Sequence, residues 1–200
     1  MTQKLAYDWI TQLKELKFII RKGQQNTKDT MDALEESGSL RTTEQKLWKD
    51  LKYSKIRKNI GDWFWKLIHI LKGAYWKNVP SYEERAYCEY CQNLGTMDHI
   101  LFSCTIEGRE QIWEMAEKLY ELPMKANNRL SWTTPSKALL RGLSRLKLRN
   151  KNRKYNKQSM KRYKLIISET AWLLWKCRNE RVICQKEVQP SQIKEDGWQK

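Results

Sequence analysis

Proline and glycine are scarce, at four and eight in 200 residues. That excludes a collagen-like chain and argues against a long disordered one. Long apolar runs are also missing. "AWLLW" (171–175) is among the longest, far short of the roughly 18 residues that a membrane-spanning helix needs. The opening stretch, "MTQKLAYDWITQLKELKFII", is interrupted by lysines and acids and lacks the apolar core of a signal peptide. These absences predict an intracellular protein of the nucleus or cytoplasm, not secreted and with no membrane partner. Histidine occurs twice, at His69 and His99, which leaves little for acid–base catalysis. There is no Tyr-x-Asp-Asp motif, and no recognisable set of strand-borne carboxylates for two-metal nucleic-acid cleavage. The expectation is a protein that is not an enzyme.

Positive charge is what the chain has in excess. Lys and Arg number 39 against 23 acids, a formal net charge of +16. Such an excess repels itself in a compact state and is usually matched by a polyanion. Ten tryptophans predict helix–helix seams in which the indole N–H finds a partner. The five cysteines are an odd number. In a reducing compartment, clustered cysteines point to metal rather than to crosslinks.

Periodicity predicts a mainly α fold. A first helix is expected over 2–22, ended by Gly23 and "QQNT", and a shorter one over about 28–36. Thr42 or Thr43 suits the N-cap of the next helix. Ile56, Ile60, Phe64, Leu67 and Leu71 make one apolar stripe, closed by Gly73. A helix follows the cysteines, with Ile112, Met115, Ala116 and Leu119 inward and Pro123 as its stop. A short helix begins at Ser136. Residues 147–158 read as a basic loop. A long helix starts at Ser159, buries Tyr163, Ile166, Ile167, Thr170, Leu174 and Cys177, and ends at Pro190. Four segments result: N-terminal helices and linker (1–40), a helical zinc-binding module (41–122), a basic connector (123–158) and a long C-terminal helix packed on the module (159–189).

"CEYCQNLGTMDHILFSC" (88–104) holds three of the five cysteines and one of the two histidines. Its spacing is Cys88-x2-Cys91-x7-His99-x4-Cys104. A Cys-x2-Cys turn lets two thiolates reach one ion at about 2.3 Å. Gly95 is expected to supply a positive φ to the reversal, and Thr96 to cap a short helix carrying Asp98 and His99. Five steps of a regular helix put Cys104 about 140° round from His99. The helix must therefore loosen near Phe102–Ser103. Three thiolates and one imidazole form a closed set with no open position, so Zn2+ there is structural. Cys177 and Cys184 share one helix face and read as packing residues. His69 reads as a surface or hydrogen-bonded histidine.

"WFWKLIHILKGAYW" (63–76), "VPSYEERAYCEYCQNLGTMDHILFSC" (79–104) and "IWEMAEKLY" (112–120) together resemble the zinc-binding region downstream of reverse transcriptase in non-LTR retrotransposons. The likeness is to the fungal-type branch, in which a ribonuclease H domain precedes this region. "MTQKLAY" resembles the segment that follows that domain, and "RYKLIISETAWLLWKCRNERVI" (162–183) is similar to the distal helix. The resemblance implies that Cys88, Cys91, His99 and Cys104 are zinc ligands. It also implies a module that handles RNA or DNA beside other parts of a retrotransposon protein.

Residues 141–164, "RGLSRLKLRNKNRKYNKQSMKRYK", contain eleven Lys or Arg and no acid. Arg149, Lys151, Arg153, Lys154, Lys157, Lys161 and Arg162 are the expected phosphate contacts, sequence-nonspecific, with Tyr155 stacking on a base. The alternative is a zinc-stabilised protein-interaction scaffold that docks through Trp and Leu stripes without binding nucleic acid.

Overall fold

The computed structural model describes residues 23–50, 56–69, 76–122, 130–150 and 154–184. The expected helix over 2–22, Leu71, Gly73, Pro123 and Pro190 lie outside them. The described residues are mainly helical, and their only β pairing is an isolated antiparallel bridge between Tyr87 and Leu94. Helix α1 spans 23–36, α2 Glu44–Asp50, α3 Lys58–His69, α4 Arg109–Glu121, α5 Lys137–Arg141 and α6 Lys157–Cys184.

Helix α1 corrects one expectation. The helix expected from about Lys28 already includes Gly23 and "QQNT", its first described residues. Thr27 and Thr30 donate their hydroxyls to the carbonyls of Gly23 and Asn26, each at 2.7 Å. Those bonds let polar residues sit buried inside a helix. The helix ends at "SGS", where Gly38 takes φ +76°, the left-handed geometry that glycine adopts freely. Thr43 caps α2, accepting from the Lys46 N–H at 3.4 Å.

The α3 stripe is buried as its spacing requires: Ile60, Trp63, Phe64 and Leu67, preceded by Ile56. It meets α6 through an aromatic seam in which Trp63 lies 5.8 Å from Trp172 and 6.4 Å from Trp175, ring centre to ring centre. Ser136 caps α5, accepting from the Leu139 N–H at 3.2 Å. Helix α6 starts two residues before the expected Ser159. The cause is Asn156, whose side-chain oxygen accepts from the N–H groups of Gln158 and Ser159, each at 3.0 Å. All the expected core residues of α6 are buried except Cys177, which is half-buried.

One hydrophobic core runs from Leu34 and Leu47 through α3, the cysteine region and α4 to Trp175. Within it α6 packs against α4, α3 and the turn after His99. Helix α4 buries Ile112 and Ala116 as expected, but its buried face is shifted to take in two aromatic residues. Met115 and Leu119 are half-buried, while Trp113 and Tyr120 are buried. The Trp113 indole donates to Leu101 O at 2.8 Å, and Tyr120 packs against Trp132 and Tyr163. Two aromatic rings with such partners outweigh an aliphatic stripe.

Candidate metal centre

The first half of the centre is a tight knuckle. Tyr87 and Leu94 pair across it, Cys88 N–H donates to Asn93 O at 2.9 Å, and Gln92 N–H donates to Cys88 O at 2.8 Å. The positive φ falls on Gln92, at +55°, and not on Gly95. Glycine is needed at 95 for close approach instead. Its N–H donates to Ala86 O at 2.7 Å, and a Cβ there would lie 3.2 Å from that same carbonyl oxygen.

The second half is a widened helical turn. Thr96 Oγ1 accepts from His99 N–H at 3.1 Å, as an N-cap does, and Ile100 N–H closes normally on Thr96 O. From His99 to Ser103 the backbone opens into a π turn, and Cys104 N–H reaches His99 O at 2.8 Å. Bonding to the residue five back makes five residues nearly one full turn. Cys104 is therefore carried round above His99, then leaves in extended conformation with ψ 135°. This is the loosening that the His99–Cys104 spacing requires, begun three residues earlier than expected.

The two halves bring the four side chains together. Cys88 Sγ lies 3.6 Å from Cys104 Sγ, and Cys91 Sγ lies 3.2 Å from His99 Nε2. All four ligand atoms fall within 4.8 Å of one another. A tetrahedron with metal–sulfur bonds near 2.3 Å and metal–nitrogen bonds near 2.0 Å has edges of about 3.8 and 3.5 Å. The 3.6 and 3.2 Å edges are close to that size and no edge exceeds 4.8 Å, so with a small contraction the group could hold one metal ion. A sulfur–sulfur separation of 3.6 Å excludes a disulfide between Cys88 and Cys104.

The surroundings match those donors. Burial, and next the Arg109 charge, push the His99 pKa down, which favours the neutral imidazole that a metal needs. The Cys91 thiol is lowered chiefly by a backbone hydrogen bond from Asn93. Burial pushes the Cys104 thiol up to about 11, so it remains protonated at neutral pH until a cation displaces the proton.

Each half is bolted to a different helix. Buried Arg178 of α6 donates to Arg85 O at 2.9 Å, beneath the knuckle. Arg109 of α4 donates to Cys104 O at 2.6 Å, and Trp113 holds Leu101 O. Lys137 of α5 pairs with Asp98. Sequence reasoning missed Arg178, Lys137 and Arg109. Arg178 and Lys137 act across 93 and 39 residues, where no local pattern reports them. Arg109 acts only five residues from Cys104, but on its backbone carbonyl, which residue spacing does not reveal. An ion in the cluster would tie α4, α5 and α6 to one point.

The basic segment is sorted by the fold. Arg149, Lys154, Lys157 and Lys161 are exposed. Lys151 and Arg153 lie outside the described residues. Arg162 is half-buried and donates to Leu119 O. Two other cations of 141–164 are buried: Lys164, donating to Ser144 O at 2.5 Å, and Arg141. Tyr155 is exposed. His69 is the last described residue of α3, and its side chain lies outside the described residues; Cys177 and Cys184 lie on α6, outside the cluster. Among the described residues no helix is long and apolar enough to cross a membrane.

Comparison with protein-family models, with curated proteins and with solved structures finds no match.

Proposed function

We propose that the chain is a non-catalytic, zinc-stabilised module that binds nucleic acid without sequence specificity, of the kind found downstream of reverse transcriptase in non-LTR retrotransposons. The observation that carries the zinc reading is the convergence of three sulfurs and one imidazole within 4.8 Å. Soft thiolates with imidazole suit Zn2+, and a set of four protein donors leaves no position for water or substrate. The role of the ion is therefore to hold the knuckle to the π turn.

The nucleic-acid reading rests on the cations that remain at the surface. Lys147, Arg149, Lys154, Lys157 and Lys161 are exposed along a stretch that holds no acid from 141 to 164. Neutralising phosphates with them releases counterions, so affinity must fall steeply with salt. A gel shift of zinc-loaded protein across salt concentrations tests this. Binding at low salt that weakens steadily is the expected result; no binding at low salt, or binding that ignores salt, removes the reading.

A protein-docking scaffold is the second reading. Its support is the exposure of Tyr82, Tyr87 and Tyr90 on and beside the knuckle, among the acids Glu83, Glu84 and Glu89. Replacing the exposed lysines of 147–161 by glutamine separates the two: docking survives that change and nucleic-acid binding does not.

A further inference from the structure

The loop between α1 and α2 is sewn to the basic segment across more than a hundred residues. Lys147 N–H donates to Ser39 Oγ at 2.9 Å, and Arg145 Nε donates to Thr42 Oγ1 at 3.3 Å. Ser39 and Thr42 are buried at these stitches. Between them lie Leu40 and Arg41. Both are exposed, Leu40 by 69%. Lys46, one turn into α2, is exposed as well.

In the basic segment Asn150 is hydrogen-bonded to Lys154. Asn150 N–H donates to Lys154 O at 3.0 Å, and Asn150 Oδ1 accepts from Lys154 N–H at 2.8 Å. This closure returns the backbone of Lys154, which is followed by the exposed ring of Tyr155, to Asn150, the residue after Arg149. Five exposed cations from two distant segments, Arg41, Lys46, Lys147, Arg149 and Lys154, and one exposed acid, Glu44, each lie within four residues of a stitch or of this closure. Two exposed apolar or aromatic side chains, Leu40 and Tyr155, lie among them. Charge alone would serve any polyanion. Charge interleaved with exposed apolar surface suits a strand whose bases are free to be covered, since paired bases hide their faces.

We infer that segment 39–46 is the second wall of a single-stranded nucleic-acid surface, with Arg41 and Lys46 contacting phosphates opposite Lys147, Arg149 and Lys154, and with Leu40 and Tyr155 covering bases. The inference rests on the nucleic-acid reading and adds to it a segment that its own composition does not single out. Segment 39–46 holds two cations and one acid, and the stitches to Ser39 and Thr42 join it to the basic run.

The test uses the full zinc-loaded chain with a fluorescent oligouridylate and a DNA duplex of matched length, each titrated over a range of KCl. The Arg41→Gln, Lys46→Gln double variant is expected to flatten the salt slope for the oligouridylate by about 1.4, at roughly 0.7 per lost phosphate contact. A control double variant at exposed lysines elsewhere, Lys66→Gln with Lys118→Gln, is expected to leave it unchanged. Tyr155→Ala is expected to weaken single-strand binding about tenfold with no change of slope. The inference is overturned if the control pair flattens the slope as much as the loop pair, or if the duplex binds more tightly than the single strand. It is also overturned if Lys147→Gln with Arg149→Gln flattens the slope while the loop pair does not; in that case the nucleic-acid reading itself stands. Absence of any wild-type binding at about 50 mM KCl removes both. Every substituted side chain in these variants is exposed, and unchanged thermal midpoints confirm that each remains folded.

Discussion

Arg141 is the least comfortable residue in the core. It is 2% exposed, and its Nε and Nη2 have no hydrogen-bond partner. Burial pulls its pKa down to about 10, with the nearby Asp29 charge opposing the fall. A buried charge so weakly compensated costs more than it returns. Arg141→Met is therefore expected to be neutral or to stabilise the fold by about 1–3 kcal/mol, read as a higher urea midpoint at unchanged slope. A loss above about 2 kcal/mol would mean that the guanidinium does structural work. Trp113 is the opposite case. Its indole satisfies Leu101 O within the π turn, so Trp113→Phe leaves a buried carbonyl unpaired and is expected to cost about 1–3 kcal/mol. Zinc affinity should fall with it, because Leu101 lies inside the ligand-bearing turn. Competition with a chromophoric chelator measures that fall.

Among the elements, the knuckle and the π turn depend on the metal more than the helices do. Residues 86–104 are short irregular turns held by backbone bonds, by Met97, Ile100 and Leu101 in the core, and by the four converging ligands, whereas α6 is one continuous helix buried along most of its length. Chelation should therefore accelerate amide exchange first at Cys88, Gly95 and Cys104, with the α6 core amides slower to follow. Equal acceleration across both would show that the metal holds the whole molecule. The elements also differ in how far their sequences announce them. The Cys/His spacing and the Thr96 cap are local, and the 140° mismatch between His99 and Cys104 demands a widened turn. The choice of Gln92 over Gly95 for the positive φ is not legible, because it follows from the 2.7 Å approach of Gly95 to Ala86. Nor is the start of α6 at Lys157, set by one asparagine cap, or the inclusion of Gly23 to Thr27 in α1, where the Thr27 hydroxyl is satisfied by the Gly23 carbonyl.

At the scale of the whole molecule, the cluster is a junction. The knuckle is tied to α6 by Arg178, and the π turn to α4 by Arg109 and Trp113 and to α5 through Asp98 and Lys137. An ion that joins the two halves transmits its binding energy to the packing of three helices. Acid must undo it in a definite direction. The folded His99 pKa lies below its ordinary value, so the stability that neutral His99 contributes is present above about pH 6.5 and is lost as pH falls through the folded value. Zinc retention and the thermal midpoint should fall together over that range, and a His99→Cys variant should retain metal to lower pH than a His99→Ala variant. The basic connector follows a different logic. Its net charge is readable from composition, but the fold decides which cations it keeps: Arg141 and Lys164 go inside, and Arg162 is spent on Leu119 O.

X-ray absorption at the zinc edge of the zinc-loaded chain tests the central claim most directly. One ion per chain with three sulfur neighbours near 2.3 Å and one nitrogen near 2.0 Å is the predicted shell. A shell of oxygen and nitrogen alone, or zinc that washes away without altering the fold, would contradict it.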